Sequence, residues 1–62
     1  MLNLMLERKK KKMTQSDLAK EIGVSRVSVA RWETGESYPS ISILLQLSEF
    51  FEVSVDYLLG KE

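Results

Sequence analysis

Apolar positions recur at spacings of three and four along most of the chain, and the breaks between them fall at Gly, Pro and Ser/Thr positions. This pattern predicts five short helices, over residues 2–11, 14–22, 25–33, 40–51 and 55–59, and no strand. It is clearest from Thr14 to Glu36, which reads TQSDLAKEIGVSRVSVARWETGE. Leu18, Ala19 and Ile22 form one apolar stripe. Gly23 supplies the positive backbone dihedral that ends a helix at little cost. Ser25 stands where the next helix is capped, and Val29 and Trp32 continue the apolar face. Two helices joined across a tight glycine turn make a helix-turn-helix pattern.

Wound at 3.6 residues per turn, the second of these helices directs Val29 and Trp32 toward the first. Trp32 is expected to be buried among Leu18, Ile22, Val29 and Leu44. Val27, Ala30, Arg31 and Thr34 share the other face, with Arg26 at its N-terminal edge. Apart from the two arginines these residues are short. Such a face fits a DNA major groove without collision, and its arginines reach guanine edges. The alternative for both arginines is a phosphate contact or plain solvation.

The remaining segments predict the rest of the core less sharply. Helix one carries Leu2, Leu4, Met5 and Leu6, more than one narrow stripe holds, so part of this surface is available to a partner. Thr14 caps helix two, with Asp17 closing a weakened capping box. Thr34 to Tyr38 is a loop, in which Gly35 ends the recognition helix and Pro39 turns Tyr38 away from helical geometry. Ser40 caps helix four, ISILLQLSEFF, whose core stripe is Ile41, Leu44, Leu45, Ser48 and Phe51, widened by Ile43, Leu47 and Phe50. Ser54 caps the last helix, which Gly60 ends.

Sixty-two residues make one domain, residues 1–62. A chain this short buries only about 60% of its unfolded surface. It has no Cys and no His, which leaves helix packing rather than disulfides or metal to stabilise it, and no metal site is expected. No stretch approaches the ~20 apolar residues of a membrane span. The N-terminal MLNLML is too short and lacks the flanks of a signal peptide. A cytoplasmic location is expected.

The net charge of zero argues against nucleic-acid binding until its distribution is considered. Residues 1–35 hold eight bases against four acids, and residues 36–62 one base against five acids. The imbalance suggests a basic face and an acidic face. Catalysis is not expected and no cofactor is called for. Without His or Cys an active site would need Ser with Lys or paired carboxylates. The serines mostly have capping or packing positions, and Gly23, Gly35 and Gly60 form no phosphate loop.

The chain resembles the Cro-like, or xenobiotic-response-element, helix-turn-helix family of the phage-repressor type. The resemblance runs from about Leu4 onward. It rests on Met13-Thr14-Gln15, Leu18-Ala19, Ile22-Gly23-Val24-Ser25, Val29, Trp32-Glu33, the Gly35 to Pro39 spacing, Tyr38-Pro39-Ser40 and the closing Val53-Ser54-Val55-Asp56-Tyr57-Leu58-Leu59-Gly60. It implies an all-α, five-helix, phage-repressor-like DNA-binding domain that binds an operator as a transcriptional regulator, repressor-like. The recognition helix, 25–33, would lie in the major groove. Arg26, Val27, Ala30 and Arg31 would meet bases, with Arg26 at the position of the family's first base contact. Thr14, Gln15 and Thr34 would hold phosphates, and a helix N-terminus suits Gln15 to that role. Arg8 and Glu33 would form a structural ion pair.

Four departures from the family pattern bear on these expectations. Glu7 replaces an apolar residue before Arg8. Lys12 replaces a glycine, which implies left-handed backbone there. Glu36 stands where lysine is common and should repel phosphate. Phe50 adds bulk at a small position. The run Lys9 to Lys12 reads as a solvated helix end, where cations suit the dipole, or as a phosphate patch. Two function classes remain. The first is sequence-specific binding of double-stranded DNA, as a homodimer at least on DNA, through a self-contact surface including Phe50, Val53, Tyr57 and Leu58. The second is a small protein-interaction module that binds and modulates another repressor, as an antirepressor does.

Overall fold

Serine and threonine side chains open four helices of the structure, a computed structural model that describes residues 1–61. The helices are α1 (Leu2–Lys10), α2 (Gln15–Ile22), α3 (Arg26–Thr34), α4 (Ile41–Phe51) and α5 (Val55–Leu59), and the described residues include no strand. Thr14, Ser25, Ser40 and Ser54 are the N-caps of α2 to α5, each accepting from the backbone N–H three residues on. Such caps satisfy donors that the first turn leaves without partners. At Thr14 the box is complete: Thr14 Oγ1 accepts from Asp17 N–H at 3.0 Å, and Thr14 N–H donates to Asp17 Oδ2 at 2.9 Å.

The helices end in related turns. After α2 to α5 the N–H two residues past the end reaches back to a carbonyl of the last turn, as Val24 does to Ala19 (2.9 Å) and Glu36 to Arg31 (3.0 Å); after α1 the N–H three residues past the end does so, from Met13 to Arg8 (3.2 Å). This closure needs one residue in the left-handed region. Gly23, Gly35 and Gly60 supply it after α2, α3 and α5, and Lys12 and Glu52 supply it, at φ 57° and 56°, after α1 and α4. The left-handed backbone expected at Lys12 is therefore present, and Glu52 adds a second such residue that the sequence did not announce.

The core is a cluster of Met1, Leu4, Leu18, Ala19, Ile22, Val29, Trp32, Leu47, Phe51 and Leu58, with Leu44 and Ile43 among the half-buried residues packed on it. The burial of Trp32 beside Leu18, Ile22 and Val29 is as expected. Helix α2 packs chiefly on α3, α1 on α5 and α3, and α4 on α5 and α2.

The stripe expected on α4 needs correction. Ile41 and Leu45 are 77% and 53% exposed, and Leu47 and Phe51 are the buried positions. The inward row is thus Ile43, Leu44, Leu47, Phe50 and Phe51. Phe50 is half-buried, its ring edge-on to Phe51 at 4.9 Å, with Lys11 Nζ 5.1 Å from its centroid.

On α1 only Leu4 is fully buried, while Leu2 and Leu6 face solvent. Glu7 occupies a core-side place because its carboxylate has two donors. Lys10 Nζ lies at 3.0 Å and the Tyr57 hydroxyl donates at 2.9 Å to the same oxygen, Oε2. These bonds hold its carboxyl below the ordinary carboxylate range, Lys10 being the larger influence and Tyr57 the next. Asn3 Nδ2 donates to the Tyr57 carbonyl at 2.7 Å, so α1 and α5 are tied at two points.

Candidate nucleic-acid interface

The face expected to meet DNA is built by α2 and α3 around one buried ion pair. Arg8 Nε donates to Glu33 Oε2 at 2.6 Å and Nη2 to Glu33 Oε1 at 3.0 Å, a parallel two-point pairing. The third arm, Nη1, donates to the Met13 carbonyl at 2.7 Å. The two side chains are only 10% and 4% exposed. Pairing with Glu33 raises the Arg8 pKa further above its already high value, so the charge is permanent.

Glu33 has a second role. Its Oε1 also accepts from Gln15 Nε2 at 3.0 Å, and Gln15 Oε1 in turn accepts from Arg26 Nη1 at 3.4 Å. A chain of hydrogen bonds therefore runs from Arg8 inside the fold, through Glu33 and Gln15, to Arg26 at the exposed start of α3. Gln15 sits at the first position of α2, half-buried, and joins two helices as well as facing outward. Nothing in the spacing of the sequence announces this link, because it depends on how α2 crosses α3.

The remaining expected site residues are placed as follows. Arg26, Val27 and Arg31 are exposed on α3 and Ala30 is half-buried beside them, while Val29 and Trp32 point into the core. Thr14 is exposed at the start of α2, and its Oγ1 accepts from the Asp17 N–H. Thr34 was expected in a loop. It is the last residue of α3, and its hydroxyl donates to the Arg31 carbonyl at 3.2 Å. The helix runs one residue further because Gly35, not Thr34, adopts the left-handed conformation. Arg31 Nε lies 3.1 Å from Glu36 Oε2, a pairing that sequence reading missed.

The surface expected for self-contact changes in one member. Leu58 is 1% exposed, inside the core, and is not available to a partner. Val53 and Tyr57 are half-buried, like Phe50. The large apolar side chains most open to solvent are instead Leu2, Tyr38, Ile41 and Leu45.

The helix-turn-helix family model matches residues 4–58, which is most of the chain. The chain is a member of the helix-turn-helix family of the Cro-like, phage-repressor type. Its similarity to solved structures agrees. The P22 c2 repressor protein in complex with a synthetic operator superimposes with a TM-score of 0.86 at 41% identity, over 95% of this chain and 89% of that one. Among curated relatives, the HTH-type transcriptional activator BcrR of Enterococcus faecalis is 42% identical over 84% of this chain and 26% of its own length. Repressor protein C2 of Salmonella phage P22 is 46% identical over 84% of this chain and 24% of its own. The uncharacterized HTH-type regulator YqaE of Bacillus subtilis is 38% identical over 97% and 52% respectively. This helix-turn-helix chain thus spans between about a quarter and a half of the length of these relatives. No helix of its described residues is long and apolar enough to cross a membrane.

Proposed function

We propose that this chain binds double-stranded operator DNA in a sequence-specific manner as a transcriptional regulator, with α3 in the major groove. One observation carries the reading. α3 is anchored to the core by Val29, Trp32 and the buried Glu33, and this leaves Arg26, Val27 and Arg31 exposed together on a rigid helix. The similarity to a repressor crystallised on its operator supports the same reading. Arg26, Val27, Ala30 and Arg31 are the proposed base contacts. The arginines pair with guanine, Val27 meets a thymine methyl, and Ala30 permits close approach. Thr14, Gln15 and Thr34 are the proposed phosphate contacts, which set register without reading sequence. Relatives are named as activator and as repressor. The sign of regulation then follows from where the operator lies relative to the promoter. The proposed setting is the cytoplasm, and catalysis forms no part of this function.

One domain of this size covers about one half-site, so two copies on one face of the duplex, with half-sites roughly 34 Å apart, would give useful specificity. Sedimentation with a palindromic duplex tests this, and a strict one-to-one complex counts against it. The exposed apolar residues Tyr38, Ile41 and Leu45 favour a second reading, a module that docks on another repressor. Arg31→Ala separates the two. On the DNA reading it costs about 1–3 kcal/mol on the best duplex and relaxes preference at one base pair. If Arg26→Ala and Arg31→Ala combined leave affinity and preference intact in gel shifts, the docking reading takes first place.

A further inference from the structure

The geometry points to Glu36 as a specificity-determining residue that acts through Arg31, steering that arginine toward a base edge and away from phosphate. The inference rests on the proposed reading of α3 as the DNA-reading helix. Glu36 is tied to Arg31 twice. Its backbone N–H donates to the Arg31 carbonyl at 3.0 Å across the left-handed turn at Gly35. Its carboxylate Oε2 then lies 3.1 Å from Arg31 Nε. The main-chain bond keeps the two residues adjacent, so the carboxylate stays within reach of the guanidinium.

A guanidinium offers five N–H donors in a fixed fork. With the Glu36 carboxylate 3.1 Å from Nε, that edge of the guanidinium already faces a negative charge, which disfavours side-on approach of a second anion through Nε and one terminal nitrogen. The two terminal nitrogens, on the side away from that contact, match the O6 and N7 acceptors of guanine. The pairing also sorts the ligands Arg31 can take. A phosphate approaching Arg31 meets the negative charge of Glu36, whereas a guanine edge is neutral and does not. At 59% and 68% exposure the pair lies in high dielectric, so the effect is modest for affinity and shows mainly in choice of ligand. The acid that weakens attraction to the DNA backbone thereby sharpens discrimination.

The test compares wild type, Glu36→Gln, Arg31→Ala and the double variant. Each is passed through selection from a randomised double-stranded DNA pool and titrated against a random-sequence duplex over a salt series. Glu36 is exposed, and equal thermal melts show that Glu36→Gln folds. Glu36→Gln is expected to bind the random-sequence duplex about two- to five-fold tighter. Its salt slope should steepen by up to about 0.9, the value of one added phosphate contact. It should also lose preference at the base pair whose readout Arg31→Ala abolishes, and change no preference once Arg31 is alanine. The proposal is overturned if Glu36→Gln keeps that preference at wild-type strength, or if its effect persists without Arg31. If Arg31→Ala itself leaves preference untouched, Arg31 reads no base and the role of Glu36 falls with it; the reading of α3 fails only if Arg26→Ala combined with Arg31→Ala also leaves preference untouched. If Arg31→Ala relaxes preference and Glu36→Gln does not, only the role of Glu36 is rejected.

Discussion

Removing Arg8 should unfold most of this domain, although the residue lies at the end of α1 and bears a charge. Arg8→Ala deletes three hydrogen bonds at once, two to Glu33 and one to the Met13 carbonyl. It leaves the Glu33 carboxylate, 4% exposed, with the Gln15 amide as its remaining side-chain donor. An uncompensated buried charge of this kind costs about 3–5 kcal/mol. By contrast, the exposed Arg31–Glu36 pair contributes at most about 1 kcal/mol. A domain of this length has a total stability of about 3–9 kcal/mol. The loss is therefore comparable with the whole. Urea denaturation followed by far-UV circular dichroism, with a stabilising osmolyte present to retain a native baseline, measures it. Arg8→Lys keeps the charge but not the fork, and should lose about 1.5–3 kcal/mol. Replacing the pair as Arg8→Met with Glu33→Leu should recover most of the stability, because no buried charge remains. If Arg8→Ala costs less than about 1 kcal/mol, the pair behaves like a solvated one and the reasoning is wrong.

Two further predictions concern stability. Lys12 and Glu52 occupy left-handed backbone, which costs a side chain roughly 1–2 kcal/mol, while glycine loses about 0.4–1 kcal/mol more entropy on folding, so Lys12→Gly and Glu52→Gly should each stabilise by about 0.5–1 kcal/mol. Unchanged or lowered urea midpoints would contradict this. Glu7 is held below its ordinary value of 4.5 by Lys10 first and Tyr57 second. Its stabilisation is thus complete above that value and is lost as pH falls through the lower folded one. Thermal melts across the acid range should show Glu7→Gln losing less stability on acidification than wild type does.

The α2–turn–α3 unit was legible because every device that makes it is local: a capping Thr14 with Asp17, a glycine at the left-handed position, Ser25, and apolar residues on one face. Helix α4 was legible as a helix but not in orientation. Most of its residues are apolar, so the sequence offers little contrast between faces. The choice that buries Leu47 and exposes Ile41 and Leu45 is made by where α2 and α5 sit. Leu58 shows the same limit, since α5 is too short for a periodicity to show. In the candidate site, the positions of Arg26, Val27, Ala30 and Arg31 followed from helical geometry. The resemblance suggested a pairing of Arg8 with Glu33, and the structure shows the bonds. Two links were missed for different reasons. Gln15 meets Glu33 and Arg26 only because two helices cross, and Glu36 meets Arg31 only because a left-handed turn folds the chain back. Neither contact has a sequence spacing that helical periodicity can flag.

Helix α3 separates its duties by side: Val29, Trp32 and Glu33 hold the fold, while Arg26, Val27 and Arg31 contribute no buried apolar surface to it. Changes on the outer side are therefore close to neutral for folding, and, if α3 reads DNA as proposed, a lineage can move from one operator to another without passing through unfolded intermediates. The inner side allows no such drift. On the proposed reading, a single substitution at Glu33 that leaves Arg8 unpaired would weaken DNA binding through the fold while touching no base, and would be mistaken for a lost contact. Retargeting by design should accordingly keep Glu33 and Gln15 fixed and vary only the outer positions, with Ala30 restricted to small residues by its half-buried place between the two sides.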